Sequence, residues 1–235
     1  MRAIIKRELK SYFTSPAGYV VLAVLTAAVC YFFTTLFASG YADPSYIFSY
    51  ISIFVLIMIP ILTMRLFSEE KMKKTDQLLL TSPVSISSVV LGKFFAALIF
   101  FSLFLIETVI FNFIYIGFGV SVDWMVYLGN IIGILLFAAS FIAIGILISA
   151  LTESQVVAAI LSIAINMIIL LFDSIIPSMI DNVLINKICG WVAFNERYQT
   201  FTQGIIGLDN LIFFISVIAV FLFLTVRVID RKRWA

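Results

Sequence analysis

The ionisable side chain best placed to carry chemistry is that of Glu107, which lies inside a long apolar stretch of the sequence. A carboxyl group in such surroundings is costly unless it faces a cavity or a polar partner. It would then contact a substrate, contact a second subunit or carry a proton. The alternative is a protonated carboxyl group that a hydrogen bond holds in the packing. Asn112 and Asn166 lie in similar stretches, and we interpret them as pathway or dimer candidates, or as hydrogen-bonding links between helices.

The residue types that most enzymes use for catalysis are scarce here. The chain contains no His, which removes the commonest general base and the commonest metal ligand. Its two Cys, Cys30 and Cys189, are far apart and match no zinc or redox spacing. A phosphate-binding loop ending in Gly-Lys-Ser/Thr is also missing from the sequence. We therefore predict no catalytic residue, no metal site and no cofactor, and nothing indicates a nucleic-acid partner.

The composition indicates a membrane protein. Of 235 residues, 63% are hydrophobic and only 12% are charged, whereas about a quarter of a soluble domain is charged. The mean hydropathy is +1.17, and the apolar residues form six stretches long enough to cross a hydrocarbon core of about 30 Å. We predict an all-α, polytopic fold, one transmembrane domain over residues 1–235, with spans at 17–38, 46–64, 89–116, 126–150, 156–172 and 210–228.

The positions of the basic residues predict the orientation of these spans. All of the 15 Lys and Arg except Lys187 and Arg197 fall on one side of a six-span topology. Loops rich in Lys and Arg stay in the cytoplasm, so both termini are expected there, with the lipid bilayer of the cell membrane as partner. An odd number of spans would separate the two basic ends of the chain.

Residues 1–15 have the pattern of an amphipathic helix. At about 100° per residue, the apolar side chains share one half of the helix and the basic ones the other. Glu8 falls within the apolar arc and weakens the pattern. We predict an interfacial helix that rests on the inner membrane surface; the alternative is a basic flank that only sets topology. The apolar set is Ile4, Ile5, Leu9, Tyr12 and Phe13, and the basic set is Lys6, Arg7 and Lys10.

The loop at 65–82 predicts a short charged helix outside the membrane. Glu69 stands four residues before Lys73, and Glu70 four before Lys74, which is the favourable order for helical ion pairs. Such a helix can transmit force from a cytoplasmic partner, although a solvated connector is the alternative. A second, tight turn at Glu153 would lie on the same side and is a further contact candidate.

The segment at 173–209, on the other side, is too long for a plain connection. Apolar residues recur at helical spacing from Ile176 to Leu184, which predicts one or two short helices in the outer leaflet. The aromatic residues that follow suit an interfacial belt; they are Trp191, Phe194, Tyr198 and Phe201.

The charged loop and its surroundings resemble the permease subunits of type-2 ABC transporters, most closely those of gliding motility and copper-enzyme maturation. The residues that carry the resemblance are Arg65-Leu66-Phe67, Glu69-Glu70, Thr75, Leu78-Leu79-Leu80, Pro83-Val84 and Gly92-Lys93, with Phe201, Gly204, Asp209, Arg231, Arg233 and Trp234 near the end. The chain departs from that family at two positions, with Lys74 where Gly is usual and Gln77 where Glu is usual.

The resemblance implies an exporter that pairs with a second permease, identical or homologous, and with two ATP-binding cassette ATPase subunits that hydrolyse ATP. The N-terminal helix would be a connecting helix, and a coupling helix at about 68–79 would rest on the ATPase. An ion-coupled carrier using Glu107 and a membrane scaffold without transport are the alternatives. The implied ATPase-coupling residues are Arg65, Phe67, Glu69, Glu70, Lys73, Lys74, Thr75, Leu79 and Glu153.

Overall fold

The computed structural model describes residues 1–39, 45–75, 85–119, 121–174, 190 and 193–233. Within those residues the regular elements are ten α-helices, with no strand. In chain order they are α1 (Arg2–Thr14), α2 (Pro16–Ala38), α3 (Ser45–Thr63), α4 (Arg65–Met72), α5 (Ile86–Ser102), α6 (Leu105–Gly117), α7 (Trp124–Leu151), α8 (Gln155–Ser174), α9 (Phe194–Thr202) and α10 (Leu208–Arg233).

The predicted all-α class with six membrane-spanning helices is confirmed. Six stretches of the described chain are long and apolar enough to cross a bilayer, formed by α2, α3 with α4, α5 with α6, α7, α8 and α10. The second is longer than predicted because α4 follows α3 after one residue. The third divides near Leu103, where i to i+3 hydrogen bonds, such as that from the Leu103 N–H to the Phe100 carbonyl at 3.3 Å, tighten the helix.

Helix α7 is the centre of the bundle. It packs against α3, α4, α5, α8, α9 and α10, and 72% of its most apolar stretch is buried, against 17% for α8. Two of its glycines permit this close packing. A Cβ atom on Gly145 would lie 2.2 Å from Thr63 Oγ1, and one on Gly133 would lie 2.5 Å from the Cβ of Phe201. Backbones can approach this closely only where a side chain is absent.

Helix α1 forms where the amphipathic pattern predicts it, and its inner side packs on α5 and α2. The side chain of Ile4 covers Gly92, whose added Cβ would meet it at 2.9 Å. The Tyr12 ring stacks on Phe100 with centroids 4.8 Å apart. The Tyr12 hydroxyl donates to the Leu62 carbonyl at 3.2 Å. The helix is therefore joined to the bundle by specific packing.

On the other side of the bundle, α9 is the short helix that the structure describes between the last two spans. The predicted helix at 176–184 and Trp191 lie outside the described residues. Phe194, Tyr198 and Phe201 are at most 5% exposed, so the interfacial-belt prediction is wrong for these three. They pack on α7, where Gly133 leaves room for the rings of Tyr198 and Phe201.

Candidate functional site

Helix α4 is the element on which most of the predicted coupling residues lie. It begins at Arg65, three residues earlier than predicted, and its first four residues are buried. Its last residue, Met72, is 58% exposed. Leu79 and the rest of the predicted helix from residue 76 onward lie outside the described residues. Helix α4 thus has a buried root, residues 65–68, which includes Arg65 and Phe67, and an exposed tip, residues 72–75.

The root of α4 is bonded to α7 through Ser149. The Ser149 hydroxyl donates to the Met64 carbonyl at 2.9 Å and accepts from the N–H groups of Phe67 at 3.0 Å and Ser68 at 3.1 Å. In a continuous helix these two N–H groups would donate to the carbonyls of Thr63 and Met64. A side chain inserted into the ladder in this way accounts for the break between α3 and α4.

The middle of α4 is bonded to the end of α7 through Lys71. Its Nζ donates to the carbonyl of Ala150 and, at 3.2 Å, to that of Thr152. The last carbonyls of a helix lack partners within the helix, and a lysine satisfies them here with favourable charge. The same contact places α4 beside the turn that carries the exposed Glu153.

Four charged side chains form an ion-pair cluster that joins α1, α4 and α5; they are Arg7, Glu8, Glu70 and Lys93. Lys93 Nζ lies 2.8 Å from Glu70 Oε1 and 3.5 Å from Glu8 Oε1. Arg7 completes the cluster, because its Nη2 lies 2.7 Å from Glu8 Oε1 and 3.0 Å from Glu70 Oε1. Lys93 is only 1% exposed, and it also donates to the Leu66 carbonyl. The buried ammonium group of Lys93 is therefore balanced by one carboxylate from α1 and one from α4.

The two helical ion pairs predicted for α4 have different outcomes. The pair between Glu69 and Lys73 is confirmed, at 2.6 Å. The pair between Glu70 and Lys74 is wrong, because Glu70 belongs to the ion-pair cluster and α4 ends at Met72. Lys74 follows the helix with a φ of 55°.

The turn after α4 explains why glycine suits the position of Lys74. The Lys74 N–H donates to the Lys71 carbonyl and the Thr75 N–H to the Glu70 carbonyl, both at 2.9 Å. These two bonds define a Schellman cap, which needs a left-handed residue where Lys74 stands. Glycine adopts that conformation without steric cost, and it is the residue that the resembling family usually carries there.

A cavity of about 240 Å³ lies beside the ion-pair cluster. It is enclosed by α1, α4 and the start of α5, and its wall contains four basic and three acidic side chains. Besides the cluster, these charged groups belong to Arg65, Glu69 and Lys73. Most of the predicted coupling residues on α4 therefore surround one solvent-open cavity.

Sequence reasoning missed Glu8, Lys93 and Ser149 as site residues, although each left a signal. Glu8 interrupted the apolar arc of α1, and Lys93 stood a turn inside a predicted span, where a charge needs a partner. Gly145 and Ser149 are small residues four apart on one helix, a spacing typical of close helix contacts in membranes. No signal connected these three positions to one another, because they come together only through the packing of α1, α4, α5 and α7.

The intramembrane candidates lie at separate contacts between spans. The Thr26 hydroxyl donates to Glu107 Oε1 at 2.7 Å, which joins α2 to α6. Asn166 donates to the Leu56 carbonyl at 2.9 Å. That carbonyl lacks its helical donor, because the residue four positions on is Pro60. Asn166 is therefore a hydrogen-bonding link between α8 and α3, as the sequence suggested.

Asn112 is 2% exposed and lies near the hydroxyl groups of Thr108 and Tyr127, which are 2.9 Å apart. A cavity of about 10 Å³ adjoins it, which is room for one water molecule at most. The structure thus places Glu107, Asn112 and Asn166 at three different helix contacts. Their roles in a pathway or a dimer stay predictions.

Comparison with known protein families gives a match over nearly the whole chain. The model of a family described as ABC-2 family transporter protein matches residues 8–234. No curated protein sequence matches the chain significantly. The matched range includes every predicted span and all of α4, and of the ion-pair cluster it leaves out only Arg7.

Proposed function

Because the chain belongs to the ABC-2 transporter family, we propose that it exports substrate by conformational switching that ATP hydrolysis in a partner drives. The chain is a multi-pass membrane permease of an ABC transporter. In the proposed assembly two permeases and two ATPase subunits work together, with both termini of this chain in the cytoplasm. A ligand or partner can switch such a system only by binding one conformation better than the other. The family match favours this function over the carrier and scaffold alternatives.

The observation that carries the proposal is the way α4 is held. Its tip is exposed, with Lys73 60% exposed, while its root is bonded to α7 through Ser149 and to α5 through the hydrogen bond from Lys93 to the Leu66 carbonyl. A push on the tip would therefore move several spans together. This is the behaviour that a coupling helix between an ATPase and a membrane pathway requires.

The same contacts divide the predicted coupling residues into two groups. Arg65, Phe67 and Glu70 would anchor α4 within the permease, because they are buried or bonded to other helices. The exposed tip and the neighbouring turn would contact the ATPase, with Lys73, Lys74, Thr75 and Glu153 as the candidates. Helix α1 would be the connecting helix, since it joins the anchors to α2.

The test is copurification with an ABC-type ATPase encoded beside this gene, using a tag on the permease. The charge reversal Lys73→Glu with Lys74→Glu should abolish or strongly reduce the ATPase recovered and the vanadate-sensitive ATP hydrolysis. The matched control is Lys6→Glu with Lys10→Glu, which reverses two exposed charges on α1 and should retain the ATPase. Equal losses for both pairs, or none for either, would show that the tip of α4 is not the contact.

A further inference from the structure

The cavity beside the ion-pair cluster contains one charge that its own wall does not balance. Its three carboxylates are all paired: Glu8 with Arg7, Glu70 with Lys93 and Glu69 with Lys73. The fourth cation of the wall is Arg65. Within the described part of the chain, Arg65 forms no ion pair. Among the described residues of the wall, the positive charge of Arg65 is therefore in excess.

Arg65 is buried in a way that makes this excess costly. Arg65 is only 9% exposed, and its Nη2 atom is buried without a hydrogen-bond partner. The guanidinium lies over the Tyr12 ring, 4.4 Å from the centroid. Burial raises the pKa of Tyr12, so the phenol stays neutral and supplies no counter-charge. A buried charge without a partner is strongly unfavourable, and the described residues of the wall provide no free carboxylate for Arg65, which favours a bound anion in the cavity.

The rim of the cavity is suited to a phosphate group. Arg7 and Lys73 flank it with side chains that are 57% and 60% exposed, and the hydroxyl-bearing Ser11 lines it. Guanidinium groups bind phosphate through paired, charge-assisted hydrogen bonds. With about 240 Å³, the cavity has ample space for one such group.

The position of Arg65 points to the bilayer as the source of the phosphate. Arg65 lies at the buried root of α4, where α3 ends, whereas a soluble partner would meet the exposed tip. Helix α1, which forms the other wall, contributes Arg7, Glu8 and Ser11 to the cavity, and its amphipathic pattern predicts that it lies on the inner membrane surface. Basic pockets between spans at the cytoplasmic side are typical sites for anionic head groups.

We propose that this cavity binds the phosphate group of an anionic phospholipid, with Arg65 as the principal ligand and Arg7 and Ser11 at the rim. The proposal rests on the proposed function only in placing α1 and α4 at the inner membrane surface. A bound lipid would join α1 to the root of α4 and stabilise the position that α4 has in this structure.

The experiment is native mass spectrometry of the purified full-length chain with phosphatidylglycerol or phosphatidylcholine, which needs no ATPase. The wild type should retain one phosphatidylglycerol in preference to phosphatidylcholine. Arg65→Gln should weaken this binding at least about tenfold, the loss expected for a charged hydrogen bond. Lys10→Gln removes an exposed charge of α1 and should leave binding unchanged, and Arg65→Lys should restore part of it.

A second measurement covers the case in which Arg65→Gln fails to fold. The midpoint temperature of thermal unfolding of the wild type should rise with added phosphatidylglycerol but not with phosphatidylcholine or inorganic phosphate. Equal stabilisation by inorganic phosphate would overturn the lipid assignment in favour of a free anion. If the wild type binds the two lipids equally, or if Arg65→Gln binds phosphatidylglycerol as well as the wild type does, the lipid proposal is wrong. Loss of ATPase recovery in the tip variants would not affect this result.

Discussion

Helices α4 and α9 are two short helices that pack at opposite ends of α7 and end in the same hydrogen-bond pattern. After α9, the Gly204 N–H donates to the Phe201 carbonyl and the Ile205 N–H to the Thr200 carbonyl, both at 3.0 Å. The corresponding bonds after α4 involve Lys74 and Thr75. Both are Schellman caps with a left-handed residue after the helix. The local structure is shared, so the difference between the two helices lies in what holds them.

Helix α9 is held by aromatic packing and by hydrogen bonds such as that from the Tyr198 hydroxyl to the Phe48 carbonyl at 2.8 Å, whereas ion pairs and hydrogen bonds hold α4. Phe194, Tyr198 and Phe201 of α9 are buried, and their rings contact Phe141, Phe137 and Phe214 respectively. At α4, Ser149, Lys71 and the ion-pair cluster make directional contacts to α7, α1 and α5. Among the described residues, ion pairs join α4 to α1 and α5, and none joins α9 to another helix. As part of the proposed function, we expect α4 to move together with α1, α5 and α7, because it is bonded to all three.

The largest effect is expected from Glu70→Ala, which breaks the ion-pair cluster. Lys93 is 1% exposed and would lose its nearest carboxylate, so the free energy of unfolding should fall by about 3 kcal/mol. Equilibrium unfolding in mixed micelles measures it. The control Glu69→Ala removes the partner of the exposed Lys73 and should cost less than about 0.5 kcal/mol. Equal losses would mean that the cluster does not anchor α4.

The next largest loss of stability is expected from Gly133→Ala, at the contact between α7 and the aromatic residues of α9. The added Cβ would lie 2.5 Å from the Cβ of Phe201, and forcing the two helices apart should cost about 2 kcal/mol. Gly117→Ala is the matched control, because nothing lies within 4 Å of the added atom. The same unfolding measurement applies. A Gly133→Ala chain as stable as the control would show that α9 is loosely seated.

Ser149→Ala tests the hydrogen-bonded junction between α3 and α4. It would leave the N–H groups of Phe67 and Ser68 without partners, at a cost of about 1.5 kcal/mol. Ser216→Ala removes an exposed hydroxyl that bonds only within its own helix, and it should have almost no effect. If α4 works as proposed, Ser149→Ala should also lower the substrate moved per ATP while the ATPase still copurifies. Unchanged transport at reduced stability would limit Ser149 to a structural role.

The smallest effect, a gain, is expected from Lys74→Gly. Relief of the left-handed strain at Lys74 exceeds the entropy that glycine adds to the unfolded chain. Stability should therefore rise by about 0.5 kcal/mol. The mirror change, Gly204→Ala, introduces strain at a φ of 78° and a contact of 2.9 Å with Val126, so it should destabilise. A loss of stability in Lys74→Gly would show that the lysine side chain has a contact of its own.

Prediction from the sequence succeeded where a signal repeats along one segment. The spans depend on about twenty consecutive apolar residues, and the N-terminal amphipathic helix and the pair between Glu69 and Lys73 depend on neighbours three to four residues apart. The predicted pair between Glu70 and Lys74 failed because α4 ends at Met72 and Lys93, more than twenty residues away, offers a buried charge. The aromatic residues of α9 are buried for a similar reason, since glycines of α7 make room for them.

The sequence by itself determined that this protein is an all-α membrane protein with six apolar spans. Apolar length and charge asymmetry are properties of single segments, so no packing is needed to see them. Only the tertiary structure decided how α4 is anchored, which basic residue of the cavity wall has no ion pair with the described residues, and where Ser149 enters a broken helix. Those features depend on distances of about 3 Å between atoms of different helices, and no local pattern specifies which helices pack together.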